Sequence, residues 1–212
     1  QKLVNNSNKR EHFQRDMALD LLKDANPDDI ILINDIDEIP NLSRIDFRKI
    51  NKKIITFKQR VFLYKFNLLY EDLTWYGSKA CKKKYFISPQ WLRDTKHKKY
   101  SSFRIDIMFS KIKHSSIHYV EDGGWHFSNM KSPEDIEKKF LNYLHHQEFE
   151  YSGLNLTDIK KMVNEKKILY DHSADQTRYK MKGSKTLKKV SLSEMPDYIK
   201  NNYEMYLNWL DL

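Results

Sequence analysis

The chain is short of cysteine, glycine and proline, and each shortage closes off a class of protein. Its one cysteine, Cys81, has no second thiol, so no internal disulfide holds the fold. Five glycines and five prolines in 212 residues are too few for a low-complexity or disordered chain. No run approaches the roughly 18 apolar residues that cross a bilayer, and no basic-then-apolar leader opens the sequence. What is plentiful is aromatic: 13 Tyr and 11 Phe within a 40% hydrophobic composition, enough for one good core and a single domain.

The charge is lopsided at +9, which invites a nucleic-acid reading. Apart from Lys82 to Lys84 and Lys96, Lys98 and Lys99, the lysines are scattered, and no zinc-finger, RNP-type or helix-turn-helix signature accompanies them. They read as a solvated surface whose field also draws in small anionic substrates. Cys81 stands beside Lys82, Lys83 and Lys84, which could lower a thiol pKa. No His or acid flanks it, so it reads as structural.

Phe13, Met17, Ala18, Leu21 and Leu22 recur at helical spacing and predict an amphipathic helix over about residues 9–24. Asn26-Pro27-Asp28-Asp29 breaks it. Ile30-Ile31-Leu32-Ile33 is then a short β-branched run of the kind buried in a parallel sheet. Ile54–Phe57, Val61–Tyr70, Tyr85–Ile87 and Ile117–Val120 read as further strands. Ser88-Pro89 and Ser132-Pro133-Glu134-Asp135 carry the cap, the first-turn proline and, at the second, the acids of helix starts. Ile136, Phe140, Tyr143 and Leu144 would line the buried face of the second. A helix from Thr157 with Ile159, Met162 and Val163 inward is expected, as is a closing one after Met195-Pro196. Residues 171–190, polar and Lys-rich, read as a loop. Helices alternating with short strands indicate an α/β fold, whose ligands bind beyond strand carboxyl ends.

The strand at residues 30–33 ends in Asn34-Asp35-Ile36-Asp37-Glu38-Ile39-Pro40. Two carboxylates at i and i+2 past a strand suit a hard divalent cation, which takes oxygen ligands and leaves sites for phosphate oxygens. A polar turn is the plainer reading, since Asp and Asn favour turns.

Residues 29–40 as a whole closely resemble the aspartate motif of glycosyltransferase family 17. Glu11 and Gln14-Arg15 resemble the helix preceding it, and Tyr64, Asn67 and Trp75-Tyr76-Gly77-Ser78 the family's aromatic stretch and Trp-x-Gly turn. Trp91-Leu92-Arg93, His146-Gln147-Glu148-Phe149 and Met195-Pro196-Asp197-Tyr198-Ile199 follow in order. The most diagnostic segment is Asp122-Gly123-Gly124-Trp125-His126-Phe127-Ser128, similar to the family's Gly-Trp-His-Phe-Ser. The resemblance spans about residues 11–200. It departs at the start, where only 34 residues precede Asp35 and the early nucleotide-holding strands are not represented.

The resemblance implies a GT-A-like, Rossmann-like α/β sandwich with a central, mostly parallel sheet and an amino-terminally incomplete single domain. It implies an inverting, metal-dependent glycosyltransferase moving a sugar, such as N-acetylglucosamine, from a UDP-sugar to a glycan or polysaccharide hydroxyl. Mn²⁺ is favoured over Mg²⁺ because the implied ligands Asp35, Asp37 and His126 include an imidazole. Asp37 is the first choice for direct ligand, Asp35 for ligand or donor ribose contact, and Glu38 for orienting them. Lys79 and Arg93 are candidate diphosphate contacts. Asp122 is the first candidate for the base, with Glu148 its competitor and Glu121 third.

Two other classes compete. An HAD-type phosphatase also ends an aliphatic strand in Asp-x-Asp, but Glu38-Ile39-Pro40 stands where that fold carries Thr or Val. A carbohydrate-binding or adaptor domain could retain the fold without turnover. The expected setting is a soluble bacterial or viral cytoplasmic enzyme, or the Golgi lumen if an anchor was removed, with neither a membrane span nor a nucleic-acid partner.

Overall fold

The computed structural model describes residues 2–98, 100–101, 103–142, 149, 152–168 and 185–212. In chain order its elements are α1 (Lys2–Asp16), β1 (Ile30–Ile33), β2 (Glu38–Pro40), β3 (Ile54–Phe57), β4 (Gln59–Leu63), β5 (Leu68–Trp75), β6 (Lys79–Lys82) and α2 (Pro89–Asp94). There follow α3 (Ile105–Met108), β7 (Ile117–Val120), β8 (Gly124–Ser128), α4 (Pro133–Asn142), α5 (Leu156–Asn164), β9 (Lys167–Ile168), β10 (Lys185–Thr186), β11 (Lys188–Lys189) and α6 (Asp197–Asn201). The chain divides into two compact units, Gln1–Gln59 with Trp75–Gly124, and Arg60–Thr74 with Trp125–Leu212.

The first unit is built on a four-stranded sheet ordered β1-β6-β3-β7. Its core follows from the two-residue period of strands, which sends neighbouring side chains to opposite faces. Ile54, Cys81 and Ile117 pack on one face with Leu92 of α2, and Ile33 joins them. Ile55, Phe57, Ala80 and Val120 pack on the other, with Ile30 and Leu32. Both faces are covered, which suits the unbroken apolar run of β1, Ile30–Ile33. Burying each such large side chain contributes about 1.5–3 kcal/mol.

The α/β class stands, but the sheets are mixed rather than mostly parallel. β1 pairs antiparallel with β6, and β6 antiparallel with β3; β3 and β7 are parallel. The Ile30–Ile33 run therefore ends the sheet order beside an antiparallel neighbour, and only Ile31 in it is fully buried. An apolar run cannot reveal its partner's direction, and the expectation failed there.

Other local expectations also shift. Residues 9–24 are the end of α1 and a 3-10 helix over Met17–Leu22, and Phe13, Met17 and Leu21 on them are exposed. Tyr85–Ile87 is no strand, because Lys83–Tyr85 forms a 3-10 turn. Val61–Tyr70 contains two strands, separated where Tyr64 takes a left-handed φ of 67°.

In the second unit β4 runs parallel to β8, with Val61 opposite His126 and Phe62 opposite Phe127, and β5 pairs antiparallel with β11. Phe62, Phe127, Val190, Met195 and Ile199 form its core. Phe66 stands edge-on to Phe127, at 5.0 Å, and to Tyr206, at 5.5 Å. Ser132 receives the Asp135 N–H at 3.2 Å, as the Ser-Pro start predicts. Asn155 and Asp158 close a capping box at the start of α5, whose Ile159 and Met162 are buried. The Lys-rich stretch read as a loop yields the short β10 and β11 at its described end; residues 171–184 lie outside the described residues, as do Tyr143, Leu144 and Glu148. No helix among the described residues is long and apolar enough to cross a membrane.

Candidate functional site

The acidic loop folds back on the end of β1. Asn34 Nδ2 donates to the carbonyls of Asp35 and Glu38, each at 3.1 Å, and the Glu38 N–H reaches the Asp35 carbonyl at 3.0 Å. This tight turn directs the Glu38 side chain inward, where it has no exposed surface.

A buried carboxylate is costly unless its oxygens are satisfied. Glu38 accepts from the Trp75 indole N–H at 2.6 Å, the Ser78 hydroxyl at 3.2 Å and the Asp35 N–H at 3.1 Å. Arg93 supplies the compensating charge, with Nη1 2.8 Å from Glu38 Oε1. Gly77 is glycine for a steric reason: a Cβ there would lie 1.8 Å from Glu38 Oε1. The Trp75-Tyr76-Gly77-Ser78 turn is thus the wall of the Glu38 pocket.

Asp35 lies between two guanidinium groups. Arg93 Nη2 is 2.5 Å from its Oδ2, and Arg15 Nη2 is 3.2 Å from its Oδ1. Arg15, on α1, also pairs with Glu11 at 2.9 Å and donates to the Gln90 side chain. Gln90 in turn donates its backbone N–H to the Asp16 carboxylate at 3.0 Å and its side-chain amide to Asp94 at 2.9 Å. Ser88 caps α2 by accepting the Trp91 N–H at 3.1 Å, which fixes the helix that carries Gln90 and Arg93.

An open cleft of about 590 Å³ lies over this loop, lined among others by Glu11, Gln14, Arg15, Leu32, Asp35 and Ile36. Ile36 projects entirely into solvent, and Asp37 is half-buried.

The remaining site candidates are placed differently. Lys79 does not present its ammonium for a diphosphate: it is buried, and Nζ donates to the Arg93 carbonyl at 2.7 Å and to that of Thr95. Burial, and then the nearby Arg93 charge, lower its pKa to about 8. Lys79 closes the carboxyl end of α2 from beneath and so supports Arg93. Asp122, expected to face the cleft, is not among the cleft's lining residues; it is exposed on the turn after β7, 3.6 Å from Arg44. Glu121 pairs with Lys58 at 2.6 Å. His126 is buried in β8 of the second unit. The competing base, Glu148, lies outside the described residues. Burial raises the Cys81 thiol pKa to about 12, against the lowering its lysine neighbours suggest.

The arrangement thus brings Asp35, Glu38 and Arg93 together and adds Arg15 and Gln90. Among the described residues no group of three or more His, Cys, Asp or Glu side chains is set to hold a metal alone. Comparison with known proteins returns no matching family model, no matching curated protein and no matching solved structure.

Proposed function

We propose that the chain is a metal-dependent glycosyltransferase using a nucleotide-sugar donor. The observation that carries the reading is the Asp35–Asp37 loop at the end of β1, braced by Arg93 and Glu38, with Asp35 lining the cleft and Asp37 two residues on, outside its lining. A cleft of that size suits a small-molecule ligand, and its charged lining is Glu11, Arg15 and Asp35.

The two aspartates take different parts. Both Asp35 oxygens already accept from guanidinium groups, which favours a positioning or ribose-contacting part over a metal-ligand part. Asp37 is the carboxylate assigned to the cation. One or two carboxylates are enough for such an ion, because donor phosphates and water complete its shell. A divalent cation bound there would neutralise charge on the departing diphosphate. Glu38 fixes the loop by gripping the Asp35 backbone, and Arg93 ties Glu38 to Asp35. A carboxylate still has to take the acceptor hydroxyl's proton, and Asp122 and Glu148 keep that candidacy. The donor is read as a UDP-sugar, N-acetylglucosamine among the sugars to try, and the acceptor as a glycan hydroxyl.

Incubation with Mn²⁺ and a panel of sugar nucleotides, scored by release of free nucleotide, tests the reading. Release from one donor, lost in Asp37→Ala, supports it. No release from any donor, with or without glycan acceptors, contradicts it.

A further inference from the structure

The segment between Lys96 and Ile112 is closed at its base. The Lys96 N–H bonds the Ile112 carbonyl at 2.8 Å, and the Trp91 indole bonds the Lys111 carbonyl at 2.7 Å. Beyond that base the apolar side chains point outward: Phe103 is 96% exposed, Ile105 73% and Phe109 84%. Ile105 opens α3 and Phe109 follows its last residue, still helical in backbone, so the two lie one turn apart on one face, whereas Ile107 between them is half-buried. Large apolar groups this exposed, three within seven residues, are not explained by core packing.

Around them the charge has one sign. Lys96, Lys98, Arg104 and Lys111 are exposed and Lys113 half-buried, while Asp106 is the one acid of the segment. Asp106 is held by Arg104 at 2.9 Å and Lys113 at 2.8 Å, which also flank the Tyr100 ring at 5.6 and 5.7 Å. These contacts hold Asp106 and leave Lys98 exposed beyond the base, with Lys96 and Lys111 exposed at the base itself.

We propose that this segment docks the protein on an anionic lipid bilayer surface through its exposed apolar and basic side chains. Phe103, Ile105 and Phe109 enter the headgroup–acyl boundary, and the surrounding basic side chains meet the lipid phosphates and carboxylates. Apolar insertion ringed by lysine and arginine is the physical pattern of interfacial binding. A nucleic acid would use exposed aromatics among basic side chains; aliphatic Ile105 beside Phe109 favours the bilayer, and a nucleic acid is an outcome of the test. The inference stands apart from the transferase reading, because none of these residues lines the cleft.

The test is co-sedimentation of the full chain with phosphatidylcholine vesicles, with and without about one part in three phosphatidylserine. Binding is expected to the anionic vesicles only and to weaken with salt. The double variant Phe103→Ser/Phe109→Ser should weaken it about tenfold or more. Lys98→Glu/Lys111→Glu should weaken it comparably while leaving Phe103, Ile105 and Phe109 in place. Far-UV circular dichroism checks that both variants fold, the outcome expected for exposed positions. The proposal is overturned by no binding to anionic vesicles. It is equally overturned by unchanged binding in the Phe103→Ser/Phe109→Ser variant, which would assign adhesion to net charge, or by tighter binding to a single-stranded oligonucleotide.

Discussion

The Arg93 guanidinium lies 2.8 Å from the carboxylate of Glu38, whose side chain is wholly enclosed. Breaking a buried pair from one side leaves an uncompensated charge, which costs about 3–5 kcal/mol. Glu38→Ala and Arg93→Leu should each destabilise the first unit by about that amount in urea unfolding. The double variant should cost clearly less than their sum, because the two changes share one interaction. Additive losses would mean that the pair is not coupled.

Gly77→Ala tests the same pocket through sterics alone. The added Cβ would sit 1.8 Å from Glu38 Oε1 and 2.3 Å from Trp75 Nε1, so the Trp75–Glu38 hydrogen bond has to open. A loss of about 1–3 kcal/mol is expected for such crowding, with a change in tryptophan emission. A variant as stable as the parent would show that the turn yields freely.

Lys79 gives the pH dependence a sign. Its folded pKa of about 8 lies below the ordinary 10.5, first from burial and then from the Arg93 charge. Between those values the unfolded chain holds a proton that the folded chain has released, so folding gains from rising pH. Below about pH 8 the cost of burying the ammonium is carried in full. The stability of the parent relative to Lys79→Met should therefore rise from about pH 8 to about pH 10.5. A flat difference across that range would contradict it.

The parts of this account legible in the sequence are those fixed by local chemistry. The Ser-Pro starts at Ser88 and Ser132 form the helices they announce, and Ile54–Phe57 and Ile117–Val120 are strands as their composition suggests. What escaped depends on partners distant in sequence. Strand direction at Ile30–Ile33 is set by Lys79–Lys82, about fifty residues on, and nothing in the run itself encodes it. Glu38 reads as one acid among three until Trp75, Ser78 and Arg93 close around it. A signal was present in Gly77, placed between Trp75 and Ser78, because a turn that excludes a Cβ has something packed against it. Lys79 looked like an anion contact because lysines are usually solvated, and only its neighbours reveal that it is buried.

The most direct test of the transferase reading is calorimetric titration of UDP into the chain, with and without Mn²⁺, repeated on Asp37→Ala. A ligand that prefers the folded state also stabilises it, so a parallel thermal shift is expected. The account predicts UDP binding that requires Mn²⁺ and disappears in Asp37→Ala, with the variant's fold intact. UDP binding that ignores Mn²⁺, binding that survives Asp37→Ala, or no binding at all would contradict it.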